Sequence, residues 1–406
     1  LLLQVIDVGH FKIIAVSFSA TDINLKALRS RAYNLRWATL PEDVIPLTAA
    51  DPDFSSAPEI ADAIKAYANE RVFSYGPAEG LPAFRKTITA TLQQRKQIHT
   101  HEDLVLPVDS AAQGMFIIAK YCLQPGEEAI VFDPVDFLFK AAVDNAGGVA
   151  KLLPIDVTTG QFDIALLESM ITPNTKMLCL CNPLNPIGKV FSRDELFAIG
   201  NLAVKYNLWI MNDEIWSDII FPEATFVSMA ALDAAIAART ITVYGFSKSF
   251  GMAGLRVGFI VSPNAAVHEG LLQASQMRTT AYGVSTLSQV AGQAAFEHAW
   301  YWVADFLAHL TDMRNYAVAR LNAMQGITCH LPQGCYLVFP NITGTGMTST
   351  EFATFCMEKA KVAVVPGAAR WFGPGAEGHI RICISTSKAV LAEGLDRIEQ
   401  ALLHRS

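Results

Sequence analysis

The 406-residue chain is 51% hydrophobic and only 17% charged. This is more apolar material than one core organises, since single cores stop growing near ~250 to 300 residues, and it excludes disorder in favour of two domains in one body. A net charge of -7 with no lysine- and arginine-rich stripe leaves no electrostatic footprint for nucleic acid or an anionic membrane, so small-molecule chemistry is the class that survives.

The opening LLLQVIDVGHFKIIAVSFSA is apolar, but Asp7, His10 and Lys12 interrupt it. It fits neither a secretory segment nor a span of ~20 residues, and it predicts a strand-like packing arm. Further on, apolar runs at 127–133 (EEAIVFD), 176–183 (KMLCLCNP), 208–213 (LWIMND), 240–246 (TITVYGF) and 257–262 (VGFIVS) predict buried strands. Helical patterns separate them, such as 192–207, where Ser192 and Glu195 form a capping-box signature. This alternation predicts an α/β fold with a mostly parallel sheet wrapped by helices. From about 300 the rhythm changes to a long helix reaching about 325, YLVFPNI, a helix near 350–360, VAVVPG, HIRICIS and a final amphipathic helix. That pattern predicts a smaller α+β domain. Residues 1–60 are expected to form an N-terminal arm and part of the small domain, 61–300 the large ligand-binding domain and 301–406 the C-terminal small domain. Seven scattered cysteines without a CxxC pair predict reduced, mostly buried thiols in a cytoplasmic protein.

Several motifs carry chemistry. In YGFSKSFGMAGLRVGF (244–259) Lys248 follows a buried strand, with Ser247 before it and Arg256 eight residues on. Desolvation and a nearby cation both lower a lysine toward its neutral, nucleophilic form, although an isolated loop lysine reads as solvated. WIMNDEIWSD (209–218) ends a strand at Asp213, the place where ligand-facing groups gather in open α/β sheets; a helix N-cap is the plainer reading. CNPLNPIGK (181–189) puts Asn185 in a double Asn-Pro turn, which is also ordinary turn chemistry. VDSAAQGMFIIAKYC (108–122) opens a helix with Ser110, Ala111 and Ala112, whose free N–H groups and dipole favour a phosphate. VFSYGPAEGLPAFRK (72–86) carries Tyr75, equally an interface or core aromatic. Arg381 in GHIRICIS (378–385) sits in an apolar strand, where an arginine is costly without an anion to grip.

In order and spacing these segments, with VPGAARWFGPG (365–375) and IPLTAADPDFSSAP (45–58), resemble the fold type I enzymes that use pyridoxal 5'-phosphate (PLP). The match is to the aspartate aminotransferase superfamily, class I and II, from about residue 45 to the C-terminus. The resemblance implies the aspartate aminotransferase-like fold, with 61–300 as the PLP-binding domain. It implies a Schiff base between Lys248 and PLP, Asp213 on the pyridine nitrogen, and Asn185 on the 3-oxygen. Ser110, Ala111, Ala112, Ser247 and Arg256 would take the phosphate, and Arg381 the substrate α-carboxylate, with Ala50 and Asn185 nearby. Tyr75 would reach the phosphate of a neighbouring subunit, making a homodimer. The implied activity is transfer of an amino group from an amino acid to a 2-oxo acid, with no metal, nucleic acid or membrane partner. A carbon–sulfur β-lyase, an amino acid cyclase or another specialised PLP enzyme is the alternative. A non-catalytic PLP-binding regulator is the reading from a different class.

Three positions depart from the family pattern. Trp216 stands where a tyrosine is common, Asp136 where an aromatic usually stacks on the ring, with Phe137 beside it as a substitute, and Gly245 where a hydroxyl residue precedes the lysine. Ala112 replaces a lysine that dicarboxylate enzymes can carry, which points away from a strict aspartate or glutamate donor.

Overall fold

The computed structural model describes residues 18–21, 23–279 and 282–405. Most of the expected N-terminal arm, residues 1–17, lies outside the described residues.

A short β1 (Ile45–Pro46) precedes the strands of the main sheet. These are β2 (Val105–Val108), β3 (Glu128–Asp133), β4 (Val149–Pro154), β5 (Thr175–Cys181), β6 (Trp209–Asp213), β7 (Thr240–Gly245) and β8 (Gly258–Val261). They form one seven-stranded sheet in the order β2-β8-β7-β6-β5-β3-β4. Every neighbouring pair from β7 to β4 is parallel, and β8 alone is reversed against both β7 and β2. The five strands expected from apolar runs are all present. The two missed, β2 and β4, are the sheet edges. β2 holds Pro107, which an edge tolerates because its missing N–H breaks no ladder. β4 is exposed at both ends and carries Lys151, so it never reads as a buried run.

Helices cover the sheet as expected. The helix predicted at 192–207 runs Arg193–Lys205, with the Ser192/Glu195 capping box formed. Because β3, β5, β6 and β7 are parallel, their carboxyl ends share one edge. Asp133, Cys181, Asp213 and Gly245 end those strands, and Cys181 pairs with Asp213 in register. The segments holding Asn185 and Lys248 start from this edge, where crevices form in open α/β sheets.

The remaining strands are β9 (Leu337–Val338), β10 (Val362–Ala363), β11 (Val365–Pro366) and β12 (Ile380–Cys383). β11-β12-β9 form an antiparallel sheet, and β10 pairs with β1, so the chain near residue 45 closes on the C-terminal portion. The turn after β1 is anchored by a buried Arg36–Asp53 ion pair, with Trp37 Nε1 donating to the same carboxylate at 2.7 Å. Arg36 also donates to Ala49 O at 2.8 Å. This pairing offsets the cost of burying either charge and fixes residues 49–53 beside the sheet edge.

Candidate active site

A cavity of about 540 Å³ opens at the carboxyl edge of the sheet. Each expected site residue lines it except Tyr75. Tyr75 is 88% exposed and lies in a separate surface groove with Tyr282 and Thr286.

On the cavity floor, Lys248 Nζ donates to Ala50 O at 2.7 Å and lies 5.3 Å from the centre of the Trp216 ring. Burial pushes the Lys248 ammonium below its ordinary range; the Asp51 charge opposes this and the Arg381 charge adds to it. Tyr336, which the sequence did not single out, donates its hydroxyl to the same Ala50 oxygen at 3.2 Å. Its ring meets Trp216 edge-on at 4.7 Å. Asp213 is buried, and its Oδ1 accepts the Ile215 N–H at 3.0 Å. Burial, against the Ile215 bond and reinforced by the charges of Asp136 and Glu214, pushes its carboxyl up to about 7. Asp213 makes no ion pair among the described residues, and a protonated pyridine nitrogen would supply its partner.

At one end, Ser110 caps the helix Ala111–Cys122, its Oγ accepting from Gln113 N at 3.1 Å. The N–H groups of Ala111 and Ala112, in the first turn, have no intrahelical carbonyl. Glycines bring the sheet against this helix end: a Cβ at Gly258 would lie 2.5 Å from Tyr244 O and 3.2 Å from Ala111 N. At Gly245 it would lie 3.2 Å from Ile215 Cδ1 and 3.3 Å from Ala111 Cβ, a tight fit that a larger residue meets only if these neighbours give way. Arg256 takes a left-handed backbone, φ 51°, that turns it toward this end. Its guanidinium lies 3.5 Å from Asp109 Oδ1, and Ser110 Oγ donates to the same oxygen at 2.6 Å. Asp109 was not expected here. It places a carboxylate on two of the groups assigned to phosphate.

At the other end, Arg381 projects from β12 and is buried. It donates to Asn185 Oδ1 at 3.2 Å and to Thr48 O at 3.3 Å, and its Nε has no partner. It has no carboxylate among the described residues. A buried guanidinium with two long bonds to neutral acceptors is under-satisfied, and a substrate carboxylate would supply the missing charge. Asn185 Nδ2 donates to Asp136 Oδ2 at 2.8 Å, while Asp136 Oδ1 accepts from Leu138 N at 3.1 Å. Both Asp136 oxygens are therefore engaged by the protein itself. Phe137 stands at the rim, 41% exposed and edge-on to Trp371 at 5.8 Å.

An open sheet with a lysine, a buried aspartate, a helix N-terminus and an unpaired arginine around one cavity defines the architecture of a fold type I PLP enzyme. The chain belongs to the aminotransferase class I and II family, whose model matches residues 42–398. It is a PLP-dependent aminotransferase, which moves an amino group from an amino acid to a 2-oxo acid. It is 33% identical to an aspartate aminotransferase of Pyrococcus abyssi over 89% of this chain and 92% of that one. Among solved structures it is similar to an aromatic aminotransferase from Pyrococcus horikoshii, with TM-score 0.84 and 30% identity, covering 89% of this chain and 96% of that one. A PLP-bound structure from Clostridium difficile 630 aligns with TM-score 0.86 and 26% identity, covering 92% and 97%. These matches do not favour the lyase, cyclase or regulator readings. No described helix is long and apolar enough to cross a membrane.

Proposed function

We propose that Lys248, Asp213 and Arg381 carry the transamination. PLP, when bound, supplies the sink for electrons released at the substrate α-carbon. Arg381 holds the α-carboxylate, with Asn185 beside it. Lys248 Nζ removes the Cα proton, and burial, by lowering its pKa, keeps a neutral amine available for this. Asp213 holds a proton on the pyridine nitrogen. Ser110, Ala111, Ala112, Ser247 and Arg256 fix the phosphate, Phe137 and Trp216 bound the ring, and Ala50 holds the resting lysine through its carbonyl. The observation that carries the assignment is Arg381, buried on the same cavity as Lys248 with its Nε unpartnered.

The rim residues Phe137, Trp371 and Leu35 support an amino donor with a bulky apolar or aromatic side chain. Val72, Phe73 and Tyr75, more than half exposed, support a homodimer in which Tyr75 reaches the partner's phosphate. Seven buried, unpaired cysteines support a cytoplasmic location. The division into an arm with part of the small domain (1–60), a large domain (61–300) and a small domain (301–406) is supported by the separate sheets.

The test supplies the PLP-loaded protein with a panel of amino acids and a 2-oxo acid. Equal amounts of new keto acid and new amino acid, with the best turnover for apolar and aromatic donors, are expected. Ammonia release without an acceptor would replace transamination by elimination.

A further inference from the structure

Behind the cavity floor lies a second cluster of charges that the reaction does not use. Lys96 is the last residue of the helix Pro82–Lys96, which Gln97 ends in a left-handed conformation, φ 57°. Its Nζ lies 3.5 Å from Asp218 Oδ1 and 4.0 Å from Glu214 Oε2. It also bonds Ser217 Oγ and sits 4.6 Å from the centre of the Tyr244 ring. The side chains of Lys96, Glu214 and Asp218 are only 5%, 1% and 8% exposed. Asp218 Oδ2 accepts from Tyr244 Oη at 2.6 Å and from Ser249 Oγ at 2.8 Å. Glu214 Oε1 accepts from Asn212 Nδ2 at 2.7 Å and from Ser228, whereas Glu214 Oε2 has no hydrogen-bond partner.

Two features of this arrangement matter. Glu214 directly follows Asp213, and Ser249 directly follows Lys248, so one network grips the chain beside both members of the proposed pair. The network also buries two carboxylates against one ammonium. Such a group is seldom kept for stability, because apolar replacements of similar volume are often as stable, while reacting groups must be held within about 0.5 Å of their working geometry.

We propose that Lys96 is a positioning residue, holding the loops that carry Asp213 and Lys248 in their relative placement through Glu214, Asp218 and Ser249. The inference rests on the assignment of Lys248 and Asp213 above. Without the Lys96 charge, Glu214 and Asp218 would face each other unscreened, and the loop after β6 would move away from the lysine segment.

The test uses the full-length, PLP-loaded protein and the variants Lys96→Met, Lys96→Arg and Ser249→Ala, with melting temperature, steady-state kinetics and the visible circular dichroism of bound PLP. For Lys96→Met, kcat should fall on the order of 10- to 100-fold with little change in KM, and the dichroic band should shrink. Lys96→Arg should recover part of both. Ser249→Ala, which removes the bond from Asp218 beside Lys248 and leaves the one from Tyr244, should shift both readouts in the same direction by less. It decides the matter if Lys96→Met does not fold. Variants that melt lower but keep the wild-type kcat and band would overturn the proposal and leave the cluster purely structural. A wild-type protein with no PLP band would instead overturn the site assignment, and this proposal with it.

Discussion

Asp136 Oδ2 accepts a hydrogen bond from Asn185 Nδ2 at 2.8 Å, so the carboxylate dictates which way the Asn185 amide faces. With its NH2 drawn to Asp136, Asn185 turns its oxygen to Arg381, 3.2 Å away. The acceptor-only carboxylate of Asp136 and the donor-only guanidinium of Arg381 thus fix the two ends of the amide together. Replacing Asp136 by Leu leaves Asn185 Nδ2 without its acceptor, so the amide is held from the Arg381 side alone and steadies the guanidinium less. Asp136 does not touch Arg381, so the gain from unmasking the Arg381 charge is screened and smaller than this loss. KM for the amino acid should rise on the order of tenfold, the size of a lost charge-assisted bond, with kcat less affected. Steady-state kinetics at saturating PLP decide it; an unchanged KM would show that Arg381 alone holds Asn185 in place.

A second expectation concerns pH. Burial raises Asp213 from 3.8 to about 7 in the PLP-free protein. Between those values the unfolded chain has lost the proton that the folded chain retains. Stability contributed at this position therefore falls as pH rises from about 4 to about 7 and is flat above. The full penalty is on the order of 4 kcal/mol. Asp213→Asn should thus stabilise the PLP-free protein relative to wild type at pH 8 but not at pH 4, while weakening PLP binding. Thermal melts of both proteins across that range would expose an error if the difference did not vary with pH.

Asp109 yields a third. Its carboxylate engages Ser110 and Arg256, both proposed to hold phosphate, and it would repel a phosphate dianion. Both Asp109 and Arg256 are well exposed, so solvent screening keeps the effect small. Asp109→Asn should tighten PLP binding about two- to fivefold in a direct titration. Weaker binding would mean that Asp109 instead holds Arg256 in place for the phosphate.

The legible parts of the molecule are those whose signal is local. The interior strands read as apolar runs because both faces are covered, whereas β2, with Pro107, and β4, with Lys151, sit at edges where that pattern fails. Lys248, Asp213, Asn185 and Arg381 could be picked out by order along the chain, and the fold gathers them because the segments carrying three of them start from the same sheet edge. Tyr336, Asp109 and Lys96 could not. Tyr336 lies in the apolar run before β9, and its hydroxyl matters only because the Ala50 carbonyl, 286 residues away, folds against it. Lys96 looks like a solvated helix end, and becomes a buried cation only when the segment after β6 packs over it.

The most direct measurement is borohydride reduction of the PLP-loaded protein followed by peptide mapping. A single phosphopyridoxyl group on the peptide containing Lys248 is expected, and for Lys248→Ala neither that group nor transamination. A group fixed to another lysine, or a visible PLP band and transamination that survive in Lys248→Ala, would contradict it.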